Sequence, residues 1–282
     1  TKLTISSRFP DAKILDAALK VGKAVGWSAS LDKIGAELAR GLAALGHPLV
    51  LVARSEDRLE ELAGELRAAH GVDVLVHPAD LTRRAARTRM LAAVAATGRD
   101  IAGLCNNAGY GLAGRAWEVD EAEDRGQIEL NVVALHELTV AVVPGMVDRG
   151  AGAVLTVASG AAFQPSPGVA TYAATKAFVH SFSEALHAEL SGTGVSVTTL
   201  YPGPVETGFG ARAGFSPESE LPGIMVVPAA EVARQGVQAM TAGRRSVIPG
   251  LPNKASGLLG RYVPRTVLLP VLKWQAESRV GR

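Results

Sequence analysis

Residues 47–76 read HPLVLVARSEDRLEELAGELRAAHGVDVLV, and this stretch decides the fold. Pro48 to Ala53 has no polar position, as expected of a parallel strand covered by helices on both faces. Ser55 then caps a charged helix reaching to about His70, and Val72 to Val76 is the next strand. Strand, helix and strand in this order form a crossover unit, the building block of an open parallel sheet.

The same texture continues in both directions. Ile34 to Leu45 carries an Ile and Leu stripe at helical spacing and stops at Gly46. Helices are expected near 82–96, 121–148, 171–190 and 229–241, with strands at 101–105, 153–157, 195–200 and 246–248. One further strand at the N-terminus brings the count to seven. Right-handed crossovers then give an α/β fold, a doubly wound Rossmann-like parallel sheet with helices on both faces and ligands at the carboxyl ends of its strands. No internal repeat or low-complexity linker divides the chain, so residues 1–282 are expected to form one domain.

The chain has 282 residues, 48% of them hydrophobic and 20% charged, with a formal net charge of +2, which excludes disorder, collagen and a disulfide scaffold. Its 29 basic and 27 acidic side chains are dispersed, and no nucleic-acid partner is expected. The one cysteine, Cys105, cannot form an intrachain disulfide. There is no uninterrupted apolar run of 18 residues and no signal-peptide core, so a cytoplasmic location is expected. No metal site is expected.

Three motifs follow strands: Asn106-Asn107-Ala108-Gly109, then Ser159 with Tyr172-Ala-Ala-Thr-Lys176 thirteen residues on, and Pro202-Gly203-Pro204-Val205-Glu206-Thr207. Tyr172 and Lys176 are four apart on a helix and share a face. A free phenol ionises near ~10, and a fixed ammonium beside it favours the phenolate, making it an acid-base group suited to neutral pH. Ser159, at a strand end, can hydrogen-bond the same substrate oxygen. By chance a Tyr followed four later by Lys is expected roughly 0.1 times in this chain, so weight rests on the joint spacing of the three motifs.

Together these motifs resemble the short-chain dehydrogenase/reductase family over roughly residues 22 to 250. The resemblance implies an oxidoreductase interconverting a carbonyl and an alcohol, with Tyr172 as acid-base, Lys176 as its partner and as a ligand of the nicotinamide ribose, and Ser159 as oxygen binder. Asn131, in Glu129-Leu-Asn131-Val, matches the helix asparagine of a proton relay; read alone it is a helix-surface amide. Asn106, Ala108 and Gly109 fall where the family positions adenine and ribose, although the isolated motif reads equally as a tight turn, and Asp80-Leu81 resembles its adenine-contacting pair, with a helix N-cap one residue early as the alternative for Asp80. Pro202, Gly203, Val205 and Thr207 match the segment that flanks nicotinamide. Arg54 follows the second strand where an NAD-dependent member has an acid, and its guanidinium suits a 2′-phosphate, favouring NADP(H) over NAD(H). A homodimer or homotetramer is implied as well.

The pattern breaks at the phosphate loop. Against the family's TGxxxGxG, residues 28–35 read SASLDKIG, leaving Ser30, Ile34 and Gly35 as cofactor contacts, while Ala29 and Lys33 replace glycines that let backbone approach pyrophosphate. The preceding Lys23-Ala-Val-Gly26-Trp27 is not the continuous apolar run of a central strand. Basic-residue usage also flips here: residues 1–33 hold 5 of 8 lysines and only Arg8 among 21 arginines. This marks 1–33 either as a replaced, fused or mis-recorded segment, or as a natural degenerate loop in which Lys33 offers charge to phosphate. The second reading leaves open a catalytically silent Rossmann-fold protein with impaired nucleotide binding.

Residues 208–227 correspond to the family's substrate lid and carry Phe209, Phe215, Leu221, Ile224 and Met225, which favours a hydrophobic substrate. Residues 251–282 are expected to form a helical extension. Within it, Leu258 to Trp274 is rich in Leu and Val but broken by Pro264 and Pro270, so it is read as short helices packed on the domain or a subunit neighbour, with a peripheral membrane patch as the alternative.

Overall fold

The computed structural model describes residues 24–28, 33–205 and 223–280. Seven strands alternate with helices: β1 (Ala24–Ser28), α1 (Lys33–Ala44), β2 (Leu49–Ala53), α2 (Glu56–His70), β3 (Val74–Pro78), α3 (Arg84–Ala96) and β4 (Asp100–Asn106). Next come α4 (Glu121–Ile128), a π-helical segment (Glu129–Ala134), α5 (Leu135–Asp148), β5 (Gly152–Val157), α6 (Ala170–Glu189), β6 (Val195–Leu200), α7 (Ala229–Thr241), β7 (Ser246–Val247), α8 (Leu251–Tyr262) and α9 (Arg265–Val280). The sheet runs β3-β2-β1-β4-β5-β6-β7, and its strand pairs are parallel.

Strand alternation feeds two cores. Leu49 and Leu51 join Leu38, Leu59, Leu66 and Val232 on one face, while Val50 and Val52 join Met90, Leu104, Leu138 and Val154 on the other. This is why residues 48–53 carry no polar position: a helix layer covers each side.

Several expectations need correction. The segment around Gly26, which lacks the texture of a central strand, nevertheless forms β1 between β2 and β4. Its register shifts between Val25 and Gly26, and Gly26 lies opposite Gly103, so the glycine falls where the ladder is irregular and two backbones meet. Ser55 occupies the N-cap position of α2 in an extended conformation but makes no side-chain cap bond. The third strand starts two residues later than expected, at Val74, because Leu49 N–H bonds Asp73 C=O and sets the register there. The stretch 121–148 is a single helical run interrupted by the π segment. By length and composition that run could cross a membrane, yet Leu135, Leu138, Val142 and Met146 are buried in it, and Leu138, Val142 and Met146 pack against the sheet.

Candidate active site

The strand order reverses between β1 and β4, and the crevice at their carboxyl ends is where an open α/β sheet binds its ligand. Ser159, Tyr172, Lys176 and Asn131 are carried there by β5, α6 and the π segment.

Ser159 lies two residues beyond β5 and caps a 3-10 turn, Gly160–Phe163, with its Oγ accepting from Ala161 N–H at 3.2 Å. The backbone N–H of Gly160 bonds Pro202 C=O at 3.1 Å, so the serine turn is tied to the loop after β6. Tyr172 and Lys176 sit on α6, as their four-residue spacing requires. Lys176 is 4% exposed, and its Nζ donates to Val157 C=O at 2.8 Å and lies 5.8 Å from the centre of the Tyr172 ring. A buried ammonium needs hydrogen-bond partners to offset its lost hydration; the last carbonyl of β5 provides one and holds the charge beside the phenol.

Asn131 is 1% exposed and anchored on several sides. Its Oδ1 accepts from Tyr110 N–H at 3.1 Å, and its Nδ2 donates to Tyr110 C=O at 2.8 Å and to Thr175 Oγ1 at 3.0 Å. Thr175 Oγ1 in turn donates to Tyr172 C=O at 2.7 Å. The carboxamide therefore stitches the loop after β4 to the α6 turn that carries Tyr172 and Lys176. The π segment widens the helix at this point, a distortion frequent at functional sites.

Several of the expected cofactor residues lie at the carboxyl ends of the strands. Asn106 donates from Nδ2 to Thr139 Oγ1 at 2.9 Å, which makes its side chain a brace between β4 and α5. Gly109 leaves no room for a side chain: a Cβ there would lie 2.9 Å from Asn131 Oδ1 and 3.3 Å from Lys176 Nζ. Ala108, one residue earlier, is partly buried against the core. Asp80 is not a helix N-cap; its Oδ1 accepts from Thr82 N–H at 3.1 Å and Thr82 Oγ1 at 2.7 Å, while α3 starts after Arg83. Burial works against ionisation of Asp80, but the Thr82 hydrogen bonds and the charges of Arg54 and Arg83 outweigh it and hold the carboxyl below its usual range. Leu81 is buried, and its C=O accepts from Arg87 Nη1 at 2.6 Å.

Arg54 is exposed at the carboxyl end of β2, close enough for its charge to act on both Asp80 and Tyr110. Ile34 and Gly35 are buried in the first turn of α1. Pro202 is buried, Gly203 is half-buried, and Val205 packs against the core. Ser30, Thr207 and most of the lid segment lie outside the described residues.

Three contributors carry no motif. Asn253 on α8 is buried and donates from Nδ2 to Met225 C=O at 3.0 Å and Pro249 C=O at 2.9 Å. A Cβ at Gly203 would collide with that carboxamide, so the Pro202-Gly203 corner is shaped by a residue outside the three motifs. Arg265 donates to Gly260 C=O at 2.8 Å and Phe163 C=O at 3.2 Å, pinning the α8–α9 turn to the segment after Ser159. Arg87 bridges Leu81 to Glu137 on α5 at 2.8 Å.

A parallel sheet with a serine, a tyrosine and a buried lysine gathered at its carboxyl edge defines a Rossmann-type oxidoreductase site. The short chain dehydrogenase family model matches residues 29–214, and the chain belongs to that family. The chain is 30% identical over 247 residues to the very-long-chain 3-oxoacyl-CoA reductase of Anas platyrhynchos, covering 86% of this chain and 76% of that one. It is 39% identical over 169 residues to the NADP-dependent 3-hydroxy acid dehydrogenase YdfG of Salmonella typhi, covering 60% and 66% respectively. A short-chain dehydrogenase from Sphingobium yanoikuyae, solved in complex with NADPH, superposes with a TM-score of 0.76 at 33% identity, covering 88% of this chain and 95% of that one.

Proposed function

We propose that this chain interconverts a carbonyl and an alcohol with NADP(H), acting on a hydrophobic small molecule. The observation that carries the reading is the buried Lys176 ammonium, held by Val157 C=O beside the Tyr172 ring and walled by Asn131 and Gly109. NADP(H), when bound, supplies or accepts the hydride at the substrate carbon. The donor set suits that cofactor. Arg54 offers an exposed guanidinium at the end of β2, the position suited to a ribose 2′-phosphate, and Gly109 allows close approach to Lys176.

In the reductive direction Ser159 Oγ donates a hydrogen bond to the carbonyl oxygen and Tyr172 delivers the proton to it. Lys176 stabilises the negative charge left on the phenol oxygen. Asn131 acts by holding the Tyr110 backbone and Thr175, which fixes the α6 turn bearing the pair. The NADP dependence of the Salmonella relative and the NADPH bound by the Sphingobium structure support the cofactor assignment. Apolar side chains exposed on α5 and α6, Val140, Val147 and Phe178, support a homodimer or homotetramer.

Fluorescence titration with NADPH, followed by a panel of apolar ketones and aldehydes, tests the assignment. Tyr172→Phe is expected to lower kcat by about 10³-fold or more while NADPH affinity stays within about threefold. A folded protein that fails to bind NADPH at millimolar concentration returns the chain to the silent binding reading.

A further inference from the structure

We propose that the two C-terminal helices, α8 and α9, form a docking surface for an anionic lipid bilayer. Leu268 and Leu272 of α9 are half-buried, but several large apolar side chains on both helices face away from the domain. On α8 the buried positions are Asn253, Gly257 and Gly260, spaced by four and three, and this face lies against Phe163 and Gln164. Leu251, Leu258, Leu259 and Tyr262 are centred about half a helical turn away, within roughly 100° of arc. Leu258 and Leu259 are 58% and 62% exposed and Tyr262 is 72% exposed. The helix is therefore amphipathic in the outward sense, with small residues meeting the protein and a continuous apolar stripe facing away. On α9, Val267, Val271 and Trp274 repeat at four and three and are also exposed, Trp274 at 70%. The helices meet the domain through Asn253, Gly257, Gly260 and Arg265, while this apolar stripe is left facing away from it.

The charges beside the stripe select the occupant. Lys254, Arg261, Arg265 and Lys273 are basic, and Glu277 is the only acidic residue from 251 to 277. Arg265 is committed to Gly260 and Phe163, so it sets the turn between the helices. Arg261 lies over the Tyr262 ring at 6.0 Å, and Lys273 faces Glu277 at 3.9 Å. An apolar stripe with Trp and Tyr, flanked by Lys and Arg, suits the interface of a negatively charged membrane. A second copy of the chain meeting this face across a two-fold axis would bring basic rim against basic rim, a repulsive arrangement.

Flotation of the full chain with vesicles tests the proposal. Phosphatidylcholine vesicles containing about 30 mol% phosphatidylglycerol should carry the protein up the gradient at least tenfold more than pure phosphatidylcholine, and raised salt should reduce recruitment. Leu258→Asp with Leu259→Asp should abolish flotation, and Lys254→Glu with Arg261→Glu should remove the preference for anionic vesicles. Both variants alter exposed side chains and should keep the wild-type circular dichroism and NADPH binding. Folded wild-type protein remaining at the bottom with both vesicle types overturns the proposal. So does flotation unchanged by the Leu258/Leu259 substitutions. An oligomer that those substitutions dissociate, with no vesicle recruitment, assigns the face to a second copy instead.

Discussion

Gly109 shows how little slack the site has. A methyl group there must displace Asn131 Oδ1 or Lys176 Nζ, and sub-ångström shifts of reacting groups are costly, so Gly109→Ala is expected to lower kcat by about tenfold or more. Steady-state kinetics beside a thermal melt checks this, since a purely structural role would lower the melting temperature without selectively reducing kcat. Arg54 makes a separate claim. Arg54→Glu should weaken NADPH binding by about 10- to 100-fold and leave NADH binding little changed or improved, read from the ratio of the two affinities. Tyr172 and Lys176 were legible in the sequence because chemistry and helical spacing both constrain them. Asn253 and Arg87 were not, because each bonds residues that lie outside its own helix, and no local pattern announces such partners.

Among the elements, the π segment carries Asn131, whose carboxamide bonds reach the loop after β4 and α6. Asn131 satisfies both backbone groups of Tyr110, so Asn131→Ala should cost about 2–3 kcal/mol and lower the melting temperature measurably, along with activity. Asn131→Asp keeps an acceptor for Tyr110 N–H but sets a buried carboxylate oxygen against Tyr110 C=O, and should cost at least as much as Asn131→Ala in a denaturant titration. Helices and buried strands were readable from apolar spacing, and their ends agree with the structure to within a few residues. The π geometry was not, because Glu129 to Ala134 has the composition of an ordinary helix. The strand β1 was counted in the sequence, but its segment lacked the texture of a central strand. Its pairing with β2 and β4 comes from its neighbours' ladders, which override the weak preference of a segment containing Gly26.

For the molecule as a whole, His180 and Glu137 are among the groups that set an acid limit. Burial and the nearby Arg261 and Arg245 lower the His180 pKa against the opposing pull of Glu184, while His180 Nδ1 pairs with Tyr201 OH at 2.6 Å. Folded His180 binds its proton more weakly than the unfolded side chain, so the unfolded chain takes up more protons and stability falls as pH drops below about 6.5. Glu137 adds a second step. The Arg87 hydrogen bond, against a burial penalty, lowers its pKa, so its contribution is present above the unfolded carboxyl value of about 4.3 and is lost as pH falls through the lower folded value. Melting temperature measured from pH 7.5 to 3.5 should decline in both windows, with His180→Gln flattening the upper one and Glu137→Gln the lower. The sheet order was legible only as a class, since which strand lies beside which is decided by crossovers between distant residues. That order has a consequence for biosynthesis. The β1, β2 and β3 portion can assemble as it leaves the ribosome, but the crevice exists only once β4 has threaded in on the other side of β1, and its walls arrive later still with β5 and β6. Nucleotide capture by nascent chains of increasing length should therefore switch on abruptly once β6 has emerged, making ligand retention a reporter of that step rather than of the earlier strands.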